Sequence, residues 1–173
     1  FHNYFFPFTE GFRYADANDL ASLEAAASDD VCAVMMELVQ GEGGVMALTK
    51  EFLVAADRLA HENDIPFMID EVQTGNGRSG KLYSYMHYPI QPDIVSTAKG
   101  LGGGLPIGAT LLSEKVQNVL GFGDHGSTFG GNPVVCAGAN VVVDRLDQSF
   151  LAQVSERAVQ LRTGLAKLPH VKN

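Results

Sequence analysis

The chain has 173 residues, of which 46% are apolar and 18% are charged, a composition typical of a globular domain with a buried core. The formal net charge is −8 and the isoelectric point is about 5.0, which argues against nucleic acid or an anionic membrane as the main partner. Since no apolar run approaches the roughly 20 residues that span a bilayer, we expect no membrane segment.

The predicted elements alternate between strands and helices along the first hundred residues. Strands are expected at short, continuous apolar runs, and helices where apolar residues recur every three or four positions. In chain order these are a helix from Asn18 or Asp19, a strand at 31–36, a loop at 37–47, a helix from an N-cap at Thr49 to about Asn63, and strands at 67–70 and 94–98. This order indicates a β-α-β crossover, so we predict an α/β fold with a mainly parallel sheet and flanking helices.

The remaining elements follow a glycine-rich turn at 100–104. Because this turn is too short to contain a crossover helix, the strand expected at 107–112 is predicted to run antiparallel to its neighbour. The pattern then predicts a short helix from Ser113, a long loop at 120–132, and helices at 133–147 and 150–167.

Cysteines and histidines give no sign of a disulfide framework or a metal site. Cys32 and Cys136 lie in apolar stretches far apart in the sequence, and we expect buried, reduced thiols. The five histidines are scattered without the spacing of metal ligands, so no metal is expected.

Two residues that can carry chemistry follow neighbouring predicted strands. Asp70 ends the strand at 67–70, and Lys99 follows the strand at 94–98. Ligands of open α/β sheets bind beyond the carboxyl ends of the parallel strands. An amine and a carboxylate at this place suit pyridoxal phosphate, whose aldehyde forms a Schiff base with a lysine and whose pyridine nitrogen pairs with an acid. Read singly, Asp70 also fits a capping acid, and Lys99 fits a solvated lysine.

Other candidates lie in the adjoining loops. Gln73 could donate to the phenolic oxygen of such a cofactor, and Val72 could pack on its ring. Glu42 could meet a substrate amine, and the hydroxyls of Ser127 and Thr128, set among glycines, could bind phosphate. Each also has an ordinary interpretation, as core packing for Val72 and as solvated loop positions for the others.

Four sequence strings in a fixed order resemble the class III pyridoxal-phosphate aminotransferases. They are QGEGG at 40–44, IDEVQTGNGRSG at 69–80, AKGLGGG at 98–104 with PIGA at 106–109, and HGSTFGGNP at 125–133. The stretch GKLYSYMHY at 80–88 resembles the subgroup that acts on N-acetylornithine. The resemblance extends over nearly the whole chain and implies the large domain of a fold type I pyridoxal-phosphate transferase.

The resemblance implies a role in cofactor binding for four residues. Lys99 would form the Schiff base with pyridoxal phosphate and move the proton in transamination. Asp70 would hold the pyridine nitrogen, Val72 would lie against the ring, and Gln73 would reach the ring oxygen.

It also implies a site shared between two subunits of a homodimer. Thr128 would bind the cofactor phosphate of the partner subunit, and Ser127 would lie near the substrate. Glu42 would stand at the distal side of the substrate and help to switch between the two amino donors. The family usually has proline after the acid that matches Glu37, whereas this chain has Leu38, a difference expected to affect a loop bend.

The implied reaction transfers an amino group between N-acetylornithine and 2-oxoglutarate in arginine biosynthesis, in the cytoplasm. Residues 1–173 are expected to form part of the cofactor-binding large domain, without its N-terminal part and without the C-terminal small domain. The alternatives are another class III enzyme acting on ornithine, succinylornithine or 4-aminobutyrate, and a catalytically inactive fragment.

Overall fold

The computed structural model describes residues 4–171, which form a four-stranded sheet with helices around it. The strands are β1 (Val34–Glu37), β2 (Val39–Gln40), β3 (Met46–Ala47), β4 (Phe67–Asp70), β5 (Ile94–Thr97) and β6 (Ala109–Leu112), and the helices are α1 (Leu20–Ala26), α2 (Lys50–Glu62), α3 (Pro133–Arg145) and α4 (Gln148–Leu165). The main sheet has the order β1-β4-β5-β6. Strands β1, β4 and β5 are parallel and β6 is antiparallel to β5, which confirms the predicted α/β fold and the predicted reversal.

Within residues 4–171, helix α2 contributes four of the ten buried residues of the hydrophobic core cluster. The hydroxyl of Thr49 accepts the N–H of Phe52 at 3.2 Å and so caps the helix where the sequence predicts its start. Leu53 and Ala56 lie on its inner face with 0% exposure, in the same apolar cluster as Phe67 of β4. Burial of this stripe fixes the helix on the sheet.

The parallel strands end at one edge of the sheet. In the register, Glu37 of β1 stands beside Asp70 of β4, and Asp70 stands beside Ser96 of β5. The chain therefore delivers three polar residues to the carboxyl ends of three adjacent strands, where α/β sheets bind their ligands.

The prediction of a helix from Ser113 is wrong. The backbone N–H of Ser113 donates to the Asp93 carbonyl at 2.8 Å, and the Ser113 hydroxyl donates to the Asp93 carboxylate at 3.0 Å. Lys115 forms an ion pair with Asp64 at 2.8 Å. These contacts with other parts of the chain hold the segment as a series of turns, which local sequence patterns do not reveal.

A two-stranded hairpin stands where a loop was expected at 37–47. Strands β2 and β3 pair antiparallel, with Val39 opposite Ala47 and Gln40 opposite Met46. The non-proline residue Leu38 is 1% exposed, and its carbonyl accepts the N–H of Leu48 at 2.9 Å. The hairpin thus projects the turn that contains Glu42 from the end of β1.

The prediction of buried cysteines is wrong for Cys32, which is exposed, while Cys136 is half-buried; both are free thiols. Cys32 precedes β1 instead of belonging to it, because the strand begins at Val34 rather than at 31. Cys136 lies in the first turns of α3, a helix that buries only Ala139 among the described residues.

The two C-terminal helices have the approximate bounds that the sequence predicts. Helix α3 packs on the turn after Lys99, whereas none of the 18 residues of α4 is buried. Within residues 4–171, no helix has the length and apolar character needed to cross a bilayer.

Candidate functional site

Adjacent strand ends bring Asp70 and Lys99 to the same edge of the sheet. Asp70 is the last residue of β4 and is paired with Ser96 of β5, whose hydroxyl donates to Asp70 Oδ1 at 3.1 Å. Lys99 follows Ser96 by three residues, so the Cα atoms of Ser96 and Lys99 are at most about 11 Å apart. The two residues on which the sequence prediction depends therefore lie at the ends of neighbouring strands, at one edge of the sheet.

The carboxylate of Asp70 has one oxygen available for a ligand. Oδ1 accepts the backbone N–H of Val72 at 2.8 Å in addition to the Ser96 hydroxyl. Among the described residues 4–171, no group donates to Oδ2, although the side chain is half-buried. Since a half-buried carboxylate gains from a cationic donor, Asp70 suits the protonated nitrogen of a heterocycle.

Lys99 has a backbone conformation that is uncommon for a residue with a side chain. Its φ of +42° lies in the left-handed region, and the short 3₁₀ turn Lys99–Gly102 that it begins ends at Gly103 with a φ of +59°. The Lys99 side chain is exposed, and no described residue forms an ion pair or hydrogen bond with its ammonium. Such strained positions cluster at functional sites, and this amine is free to meet a ligand.

A buried carboxylate that the sequence prediction overlooked holds the segment after Asp70. Glu71 is 0% exposed and accepts the Thr74 hydroxyl at 2.6 Å, the Ser84 hydroxyl at 2.7 Å and the Tyr85 backbone N–H at 2.9 Å. The alternation of β4 gives a signal for it, because Glu71 continues the buried series that begins with Phe67. Glu71 thus anchors the turn that carries Val72 and Gln73.

The turn after β4 meets the turn after β2. Gln73 is exposed, and its amide lies so close to Gly41 that a Cβ on Gly41 would collide with it. The N–H of Gly41 donates to Glu37 Oε2 at 3.3 Å. Glu42, the next residue, is exposed, and Val72 is half-buried beside Asp70. The structure therefore brings Gln73 and the Glu42 loop together at the strand ends.

Ser127 and Thr128 form no described hydrogen bond with this group. Both are exposed in the turn-rich segment between β6 and α3, and no hydrogen bond of the described residues links them to Asp70 or Lys99. A turn in which Gly130 N–H donates to the Ser127 carbonyl at 3.3 Å holds their local shape.

Tyr83 lies behind the strand end that carries Lys99. Burial is the largest influence on its hydroxyl and raises its pKa, and a polar interaction with Thr97 opposes that rise. The charge of Glu71 raises the pKa further. The ring of Tyr83 is stacked with that of Tyr85, with ring centroids 6.1 Å apart.

The residues at this edge fit pyridoxal phosphate. The open Oδ2 of Asp70 can accept a pyridinium N–H, and the unpaired amine of Lys99 is the kind of group that forms a Schiff base with an aldehyde. The donor set is that of a transferase that uses a pyridoxal cofactor.

Comparison with known proteins identifies the family. The family described as Aminotransferase class-III matches residues 3–173. The chain belongs to the class III aminotransferase family, as its sequence motifs predict.

Individual relatives indicate which class III aminotransferases this chain is similar to. The acetylornithine aminotransferase of Haemophilus ducreyi is 52% identical over 174 residues, which cover 100% of this chain and 44% of the relative. The chain therefore spans less than half the length of that protein.

Solved structures confirm the fold. The N-acetylornithine aminotransferase from Stenotrophomonas maltophilia matches 92% of this chain with 42% of its own, at 41% identity and a TM-score of 0.82. The ornithine aminotransferase from Toxoplasma gondii, described with partial occupancy of PLP at its active site, matches 99% of this chain with 42% of its own, at 37% identity and a TM-score of 0.90. The α/β fold is therefore that of the pyridoxal-phosphate aminotransferases.

Proposed function

We propose that this chain belongs to an aminotransferase that moves an amino group between N-acetylornithine and 2-oxoglutarate in arginine biosynthesis. The observation that carries the proposal is the register that sets Asp70 beside Ser96, three residues before Lys99. The similarity to the Haemophilus ducreyi acetylornithine aminotransferase supports this amino donor. Pyridoxal 5′-phosphate is the proposed cofactor.

When bound, pyridoxal phosphate supplies an electron-accepting ring that stabilises negative charge at the carbon losing its proton. In this proposal, Asp70 Oδ2 would accept the ring N–H and keep the nitrogen protonated. Lys99 would hold the cofactor through its Nζ, and the same amine would carry the proton that is moved between substrate atoms. Val72 would pack on one face of the ring, and Gln73 would donate to its oxygen.

The substrate side of the proposed site involves the loops. Glu42 faces the distal amine of the donor, which suits an exposed carboxylate on a projecting turn. Ser127 lies near the substrate and Thr128 binds the cofactor phosphate of a partner subunit.

We further propose that residues 1–173 form part of the cofactor-binding large domain of a cytoplasmic enzyme. Coverage of only 44% of the Haemophilus ducreyi relative supports the assignment to a part of a larger unit. Ornithine, succinylornithine and 4-aminobutyrate are the alternative donors within the family.

The proposal is tested with the protein product of the reading frame that contains this chain. The purified protein is mixed with pyridoxal phosphate, and glutamate formation from 2-oxoglutarate is measured with each of the four donors in turn. We expect the highest kcat/KM with N-acetylornithine. The Lys99→Ala variant is expected to lose activity by at least about 10⁴-fold, because the residue acts in both attachment and proton transfer.

Lys81→Ala is the matched control, since Lys81 is an exposed lysine outside the strand ends. The absorbance band of pyridoxal bound to a lysine should be present in Lys81→Ala and absent from Lys99→Ala. Cofactor attachment without glutamate formation from any donor would favour the inactive alternative. Attachment elsewhere than at Lys99 would contradict the proposal itself.

A further inference from the structure

Asn76 connects the turn after β4 to the peptide that precedes Lys99. Its side-chain Nδ2 donates to the Thr97 hydroxyl at 2.9 Å and to the Ala98 carbonyl at 3.0 Å. A Cβ on Gly100 would lie 3.5 Å from the Asn76 Cβ. One amide group therefore contacts the two residues immediately before Lys99.

The two hydrogen bonds from Asn76 hold a backbone segment that lies just beyond the paired residues of β5. Ala98 follows the last residue of β5, with a φ of −162° and a ψ of −138°, and Lys99 then turns into the left-handed region. Thr97 is 2% exposed, so the hydroxyl that receives Asn76 is itself fixed in the core. The Ala98 carbonyl, which also accepts the backbone N–H of Leu101 at 2.9 Å, is thus linked through Asn76 Nδ2 to a fixed hydroxyl at the place where the chain changes direction.

The rest of the Asn76 side chain contributes little to stability. Its Oδ1 is buried and has no hydrogen-bond partner in the described part of the chain, which is costly for an amide oxygen. Asn76 also has a φ of +54°, a region that asparagine tolerates better than most residues. The amide of Asn76 therefore lowers stability through its unpaired oxygen. Its contribution is the two hydrogen bonds that it donates next to Lys99.

We propose that Asn76 is a positioning residue that fixes the Ala98 peptide and thereby sets the direction of the Lys99 side chain. The inference rests on the proposed function, in which Lys99 binds the cofactor aldehyde. Asn76 acts through Thr97 and Ala98 and does not itself touch substrate. Its loss leaves the cofactor acid Asp70 in place but lets Lys99 relax away from the strained conformation.

The experiment compares variants that keep the left-handed backbone but lack the amide donor. Asn76→Asp keeps the size of the side chain, and Asn76→Gly keeps the conformational freedom. Asn18 is a matched control, because it has a φ of +66° and its Nδ2 donates to the Ala47 carbonyl at 3.2 Å, far along the sequence from Lys99. Thr97→Ser, which retains the hydroxyl, is the conservative variant.

The rate of pyridoxal phosphate attachment at Lys99 is measured by borohydride trapping and peptide mass spectrometry on the intact gene product. Both Asn76 variants are expected to slow trapping by about tenfold, the effect of an ordinary hydrogen bond, and to shift the pH midpoint of the chromophore. Asn18→Asp, Asn18→Gly and Thr97→Ser should stay within about twofold of the parent. Trapping rates and pH midpoints equal to the parent in both Asn76 variants would overturn the inference.

A crystal structure of Asn76→Gly separates this inference from the proposed function. Failure to trap pyridoxal phosphate at Lys99 of the parent protein would refute the proposed function. The crystal structure of Asn76→Gly would still test the role of Asn76 in that case. Lys99 is expected to leave the left-handed region in the variant. An unchanged φ at Lys99 would overturn the positioning role, whatever the cofactor chemistry.

Discussion

At the scale of single residues, Asp70 and Glu71 are consecutive in the sequence but serve opposite sides of the sheet end. Successive side chains of an extended segment point to opposite faces, so one carboxylate stays half-buried at the edge and the other enters the core. Asp70 keeps an oxygen for a ligand, whereas Glu71 uses its two oxygens to accept three hydrogen bonds. The first is suited to binding and the second to anchoring.

Replacement of Glu71 tests this division of roles. Glu71→Ala is expected to lower the free energy of unfolding by about 3 kcal/mol, because the buried donors of Thr74 and Ser84 lose their acceptor. Urea unfolding of the parent and the variant measures the difference. Glu114→Ala, at an exposed acid, should change stability by less than about 0.5 kcal/mol, and an equal effect of both variants would contradict the anchoring role.

At the scale of elements, helices α2 and α4 both have a side-chain N-cap but differ in how much of their surface is buried. Each begins with a side-chain cap, from Thr49 in α2 and from Asp147 in α4. Helix α2 buries four residues against the sheet, whereas α4 buries none within the described residues. Since helices in proteins gain most of their stability from packing an apolar face, α4 is held far less firmly.

Hydrogen exchange distinguishes the two helices in the 173-residue chain. Amides in the centre of α2 are expected to exchange at least about tenfold more slowly than those in the centre of α4, because opening α4 exposes little apolar surface. Peptide-resolved mass spectrometry measures both rates in one sample. Equal protection in the two helices would show that α4 is covered by other parts of the protein or by a second copy.

At the scale of the whole molecule, a large amount of apolar surface is exposed. Met35, Val134 and Phe129 are 62%, 70% and 84% exposed, and strand β6 has no buried residue at the edge of the sheet. Large apolar side chains exposed on several elements favour association with other protein surfaces. An open strand edge adds unpaired backbone groups that favour association.

The isolated 173-residue chain is therefore expected to associate with itself at micromolar concentration and to bind a hydrophobic dye strongly. Sedimentation velocity and dye fluorescence test both expectations. A monomeric 173-residue chain whose dye fluorescence is no higher than that of a folded globular protein of the same size would contradict them.

The sequence by itself determines the parallel sheet, its helices and the positions of Asp70 and Lys99, because these depend on apolar periodicity and on the rule that parallel strands end at one edge. Only the tertiary structure decides features that depend on distant contacts. Asp93 prevents the helix expected at Ser113, Glu71 becomes the buried anchor, and Asn76 comes to lie against Ala98. A local pattern contains the preferences of a segment but not its partners, and hydrogen bonds between segments far apart in the chain form only once the fold brings them together.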